Sequence, residues 1–426
     1  MTTRTKLPPT AANTAVLSDS SRFTVEPVDL RAADGAFSSG LLYKPAGKTT
    51  RVGAHLMHPR TDQTRNYNIG PLVDAGFTVL ARSGRSVNND AETLHEELLL
   101  DVAAGVRLLR DRGCDSVVLV GNSGGAPLAA MYQAQAELPP ERRISAEESV
   151  ASVVLATADL PAADAFISVG GHLGQGQSLL RLLDASVADE HDPRSVDSTV
   201  DIYDPTNGFT LPVRETRYQP EFVAAVRAAQ LQRMRHLDRL ARAALARSNQ
   251  SRALARQLPE SGITDAARFQ VQRSAATREY LVIYRTVADP ALLDLSLDPD
   301  DRVAGGFDSH PRPDIQNYAQ AGFAHYLSPR AWLSTWSATS TNANMLDNLP
   351  SVTVPSLFVH YAGDIFVRLG DLRAMEAASG ASDKKVVVVR NTDHYGREIL
   401  TDGTLGARVT DGTAAARDWL LERFTP

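Results

Sequence analysis

The segment VVLVGNSGGAPLAAMY, residues 117–132, sets Ser123 among Gly121, Gly124 and Gly125, after four apolar residues and before an alanine-rich run. This is a G-x-S-x-G pattern, a sharp strand-to-helix turn that exposes a serine hydroxyl at the carboxyl end of a sheet. Glycines belong there because a side chain on either flank would strike the neighbouring strand or helix. The five residues alone are weak; their place between a strand-like and a helix-like run gives them weight.

A serine hydroxyl is a poor nucleophile at neutral pH and needs a base, itself oriented by a third group. The chain has 10 histidines, and position sorts them, because catalytic groups of a doubly wound sheet gather after the carboxyl ends of strands. His394, in RNTDHYG, directly follows the strand-like KKVVVV and is the expected base. His360 lies inside the strand-like SLFVHY and reads as a buried, satisfied histidine. Asp364, in HYAGD, follows that strand and is the expected orienting carboxylate, with Asp159, Asp164 and Asp393 as rivals. The chain order Ser123, Asp364, His394 is the one expected of a G-x-S-x-G serine on a parallel sheet. For a developing oxyanion, one donor is the amide of Gly124; the other must come from His58-Pro59-Arg60-Thr61. Pro59 has no N–H, so Arg60 is the candidate, with Thr61 behind it. His58 and His172 are candidates for contact with substrate.

These groups need a scaffold of alternating strands and helices. FTVEPVDL and AFSSGLLYKP, residues 23–30 and 36–45, read as a hairpin. RVGAHLMHP, a short helix in NYNIGPLVDAG, FTVLAR at 77–82 and a helix over 94–113 follow, the last with Leu98, Val102, Val106 and Leu109 on one face. SVVLV, the serine turn and its helix come next, then a strand over 150–157. The alternation lapses until PSLFVHYAGD at 355–364 and KKVVVV at 384–389, and DGTAAARDWLLERF closes the chain as a helix. Such alternation predicts an α/β fold with a mostly parallel sheet. A mostly helical insertion would fill residues 159–345, since a structureless loop of that length is improbable.

With those residues in place, the chain resembles an α/β-hydrolase over about residues 23–158 and 350–424. The resemblance implies an eight-stranded, mostly parallel sheet flanked by helices, with a lid inserted after the sixth strand, the acid after the seventh and the histidine after the eighth. It divides the chain into a tail over 1–22, a core over 23–158 and 346–426, and a lid over 159–345. The sequence departs from the common pattern in having His-Pro where many members have His-Gly, and in the length of the lid.

Other signals carry less. The glycines of SVGGHLGQGQSLL do not fall in a dinucleotide-binding frame and read as the loop leading into the lid. His95-Glu96 begins like a zinc motif, but Leu99 stands where the second histidine would be. A net charge of −6 gives no global attraction to nucleic acid. The arginine-rich run over 227–256 lacks interleaved aromatics and reads as an amphipathic helix, with its basic side solvated or a homodimer contact. With 43% apolar residues, no membrane-length apolar run, no secretory leader and a lone Cys114, the expected protein is cytoplasmic. The expected activity is cofactor-independent hydrolysis of an ester or lactone of a bulky or apolar small molecule, with no metal. Cleavage of a diketone or amide, acyl transfer, or ligand binding without catalysis are the alternatives.

Overall fold

A computed structural model describes residues 21–145, 150–151, 153–307 and 310–426; the expected tail falls almost wholly outside them. Strands β1 (Phe23–Arg31) and β2 (Phe37–Pro45) pair antiparallel, from Phe23 opposite Pro45 to Arg31 opposite Phe37. Then come β3 (Val52–Leu56), β4 (Thr78–Arg82), β5 (Ser116–Asn122), β6 (Ala165–Val169), β7 (Ser356–Tyr361) and β8 (Lys384–Val389). They form one sheet in the order β1-β2-β4-β3-β5-β6-β7-β8, parallel from β4 onward. Every residue of β3, β4, β6 and β7 is buried, as a sheet covered on both faces requires.

Helices α1 (Ile69–Asp74), α2 (His95–Asp111) and α3 (Gly125–Glu137) lie in the first half of the core. Leu98, Val102, Val106 and Leu109 of α2 pack with Leu128 and Met131 of α3 in one apolar cluster. Ile69 and Leu72 of α1 join Trp419 and Leu420, from the terminal helix Asp411–Leu421, in another. Residues alternating along β5 divide between them, Val117 and Leu119 into the first and Val118 and Val120 into the second, so the clusters lie on opposite faces of the sheet.

The sixth strand differs from expectation. Of residues 150–157, of which Ser152 lies outside the described residues, Leu155–Thr157 form a 3-10 turn, and β6 is Ala165–Val169. Two apolar runs compete here, and apolarity alone does not choose between them. The later run pairs with both neighbours, Val118 opposite Ala165 on one side and Phe166 opposite Ser356 on the other. Leu155 is fully buried, but as a plug in the α2–α3 cluster. Asp159 and Asp164 therefore precede β6, at the opposite end of the sheet from Ser123. Asp164 accepts from the Val117 amide at 2.7 Å and from Arg110 at 2.9 Å, while Asp159 pairs with Arg107 near the surface.

The connection from β6 to β7 covers residues 170–355 and contains helices α4 (Gln175–Leu182), α5 (Pro220–Arg256) and α6 (Asp265–Ala276). Val226, Met234, Leu237, Ala241 and Ala244 of α5 recur at helical spacing and are buried. Its basic face is only partly solvated: buried Arg233 pairs with Glu190, and Arg227 reaches Asp289 at 2.5 Å. The insertion is fastened to the core where the His95 amide donates to Ser334 Oγ at 2.8 Å, and Ser334 Oγ and Asn342 Nδ2 donate to Glu96 at 2.5 and 2.9 Å. The zinc-like His95-Glu96 pair is thus a strap between core and insertion.

Candidate active site

β5 ends in the serine turn, and α3 starts two residues later. Ser123 has φ +53°, a left-handed conformation uncommon for any residue with a Cβ. Its amide donates to the Val169 carbonyl at 3.0 Å, tying the turn to the end of β6. Gly125 admits close packing, since a Cβ there would lie 2.5 Å from the Met57 carbonyl oxygen. Asn122 braces the turn by donating to Tyr67 Oη at 2.8 Å and to the Val169 carbonyl at 3.0 Å.

The loop after β8 brings His394 over this turn. The Ser123 hydroxyl donates to His394 Nε2 at 2.8 Å, and His394 Nδ1–H donates to Asp364 Oδ2 at 2.6 Å. Asp364 is fully buried after β7, and its other oxygen accepts the amides of Phe366 at 2.7 Å and Val367 at 3.1 Å. Burial opposes ionisation of this carboxyl. The His394 interaction and the Phe366 amide outweigh it and hold the pKa below the usual aspartate value. At His394 burial likewise opposes the charged form, but Asp364 more than offsets it and the pKa lies above the ordinary value. Phe366 meets the imidazole edge-to-face, ring centres 4.9 Å apart. Asp393 is turned elsewhere, accepting from the amides of Tyr395 at 3.0 Å and Arg397 at 2.7 Å.

The opposite wall differs from expectation. The amides of Arg60 and Thr61, the expected second oxyanion donors, both donate to His58 Nδ1, at 3.0 and 3.1 Å. The chain turns back on itself after Pro59, so the histidine that opens the loop captures the amides two and three residues on. The Arg60 guanidinium pairs with Asp90 and stands 4.9 Å from the ring centre of Phe323 and 5.0 Å from that of Trp336. His172 accepts the Gly174 amide on Nδ1 at 3.1 Å. Both histidines are buried, which drives their pKa values down, His58 well below the ordinary value and His172 to about 3. The charge of Arg60, for His58, and of His394 when it is protonated, for His172, adds to the effect.

Between the walls is a cavity of about 260 Å³ that includes Ser123, His394, His58, His172, Arg60 and Thr61 in its lining. Gln63, Gln175, Phe323, Phe366 and Tyr395 line it too, and were not singled out in the sequence. Gln175 opens α4 within the glycine-rich segment already noted, whereas nothing in local pattern marks the phenylalanines. Of the insertion aromatics, Phe323 and Trp336 line the cavity. Tyr203 and Phe209 pack edge-to-face within the insertion, Trp332 donates to Asp238 at 2.7 Å, and Tyr326 stacks on Tyr280. His360 is buried as expected, yet neither ring nitrogen has a hydrogen-bond partner among the described residues.

The strand order, the parallel core and the left-handed serine between β5 and α3 define an α/β-hydrolase fold. No protein-family model and no curated protein matches the chain. Among solved structures it is similar to the esterase domain of a Rhodothermus marinus protein, at 10% identity over 93% of this chain and 96% of that one, with a TM-score of 0.41. It is similar also to DcsB in complex with a substrate analogue (12%, 94% and 97%, 0.46) and to Est1E of Butyrivibrio proteoclasticus (12%, 93% and 98%, 0.43). The fold assignment rests on the chain's own topology. No helix among the described residues is long and apolar enough to cross a membrane.

Proposed function

We propose that the protein is a serine hydrolase that cleaves a carboxylic ester or lactone through an acyl-enzyme on Ser123. The observation that carries this reading is the unbroken chain from the Ser123 hydroxyl through His394 to Asp364, with contacts of 2.8 and 2.6 Å, opening into the cavity. His394 takes the hydroxyl proton as Oγ attacks the carbonyl carbon, and Asp364 holds the resulting imidazolium. The Gly124 amide, at the N-terminus of α3, faces the developing oxyanion. Collapse of the tetrahedral intermediate expels the alcohol, protonated by His394, and water then releases the acid by the same steps in reverse.

A cavity of about 260 Å³ walled by Phe323, Trp336 and Phe366 favours a compact, partly apolar substrate over a bulky one; it falls just below the range of about 300–1,000 Å³ common for small-molecule pockets. The test is turnover of short-chain activated esters and lactones, with amides and diketones as comparison substrates. Ser123→Ala should cut ester or lactone turnover by about 10⁵-fold or more with an unchanged melting temperature. Retained turnover in that variant would reject the proposal.

A further inference from the structure

The wall facing His394 contains two histidines that the triad does not use, and their hydrogen bonds fix which nitrogen carries the proton. In His58, Nδ1 accepts two backbone amides, from Arg60 and Thr61; in His172, Nδ1 accepts one, from Gly174. An accepting Nδ1 must be unprotonated, so each neutral ring carries its hydrogen on Nε2. Neither Nε2 has a hydrogen-bond partner among the described residues, and both rings line the cavity that holds Ser123.

The two Nε2 atoms converge on one place. A Cβ built on Gly124 would stand 2.9 Å from His58 Nε2 and 3.2 Å from His172 Nε2, and closer still to Gln175 Nε2. Gly124 is the residue after the nucleophile, whose amide is the expected oxyanion donor. Three side-chain nitrogens therefore crowd the space over this residue, and any Cβ at position 124 would occupy it. The amides expected to supply the second donor, those of Arg60 and Thr61, are committed to His58 Nδ1 and hold that ring's N–H in place.

We propose that His58 and His172 supply the missing half of the oxyanion site as neutral imidazole donors, their Nε2–H groups joining the Gly124 amide on the substrate carbonyl oxygen. This rests on the acyl-enzyme reading and adds two catalytic residues to it. As Oγ attacks, the carbonyl π electrons move to oxygen, and the charge there is met by hydrogen bonds from Nε2–H without proton transfer. When the tetrahedral intermediate collapses, the electrons return and the donors are unchanged. Neutrality matters: a permanently cationic ring here would oppose protonation of His394, whereas a fixed neutral dipole costs no reorganisation. The low pKa values of both rings keep them neutral across the working pH range.

The experiment compares His58→Ala, His58→Gln, His172→Ala and His172→Gln with the parent on an ester or lactone that the parent turns over. Each alanine variant should lower kcat by about 10²–10³-fold with little change in KM, the pattern of an interaction made mainly in the transition state. Each glutamine variant, which can place an amide N–H near the lost Nε2–H, should recover part of that loss. Affinity for a boronic acid that forms a tetrahedral adduct on Ser123 should fall in parallel with kcat. Unchanged kcat in all four variants, or a loss confined to KM, would overturn the proposal. If an alanine variant melts far below the parent, its glutamine partner and the boronic-acid affinity decide. Failure here is distinct from failure of the underlying reading: Ser123→Ala would still be inactive, and the serine would still react with a phosphonate probe.

Discussion

The cavity contains the same side chain in two opposite states. On one wall His394 gives its Nδ1–H to a buried carboxylate, which raises its affinity for a proton above the ordinary value. On the facing wall His58 and His172 receive backbone N–H groups on Nδ1, and burial drives their proton affinity down, to a pKa of about 3 for His172. All three rings are buried. Burial alone therefore does not set a histidine's proton affinity; what its Nδ1 faces decides which nitrogen carries the hydrogen and, with burial, whether the ring gains or loses affinity for a second proton.

The most damaging way to erase this contrast is to remove the carboxylate that makes His394 different. Asp364→Asn should lower kcat by about 10⁴-fold, because an amide in that place no longer favours the Nδ1–H tautomer or stabilises the imidazolium. The acid limb of whatever activity remains should move to lower pH, which a pH–rate series on this variant would reveal. A residual kcat within tenfold of the parent would mean that His394 does not depend on Asp364.

A smaller effect comes from pH alone. In the proposed mechanism His394 accepts the serine proton as a neutral ring; its pKa is raised, so kcat/KM should fall about tenfold per pH unit below an acid-limb midpoint that lies above 6.5. A midpoint below 6.5 would place the base elsewhere. The facing histidines should leave no limb at neutral pH, since both titrate far lower.

Stability should show the contrast with reversed sign. A histidine whose folded pKa is depressed binds fewer protons folded than unfolded, so its neutral burial stabilises fully above about pH 6.5 and loses that contribution as pH falls toward the folded pKa. For His172 the loss between pH 6.5 and 4 amounts to about 3 kcal/mol. His394, with its pKa raised, contributes the other way, stabilising below 6.5 and losing that contribution as pH rises through its folded value. Denaturant melts at pH 7 and pH 4.5 should show His172→Gln losing less stability on acidification than the parent. Equal losses would indicate that His172 takes up a proton as readily in the folded protein as in the unfolded chain, contrary to its depressed pKa.

How much of this was legible in the sequence depended on whether a signal was local. Ser123, Asp364 and His394 could be picked out because each directly follows a strand-like run and their chain order matches one architecture. The strands carrying them, β5, β7 and β8, fall where apolar runs predict. The sixth strand falls later than its apolar pattern predicts because residues 150–157 and 165–169 are both apolar, and only pairing with β5 and β7 separates them. Arg60 and Thr61 were sensible donors from loop position, but the fold of the loop onto His58 Nδ1 is a matter of backbone conformation that residue types do not announce. Phe323 and Phe366 reach the cavity through packing across distant segments, which no periodicity encodes.

The proposed chemistry requires Ser123 to be a nucleophile activated by His394. Treating the folded protein with a fluorophosphonate and recording its intact mass and the modified peptide tests this directly. The expected result is one phosphonyl group per chain, on Ser123, absent in Ser123→Ala and formed far more slowly in His394→Ala. An unmodified chain, or an adduct formed equally fast without His394, would contradict it.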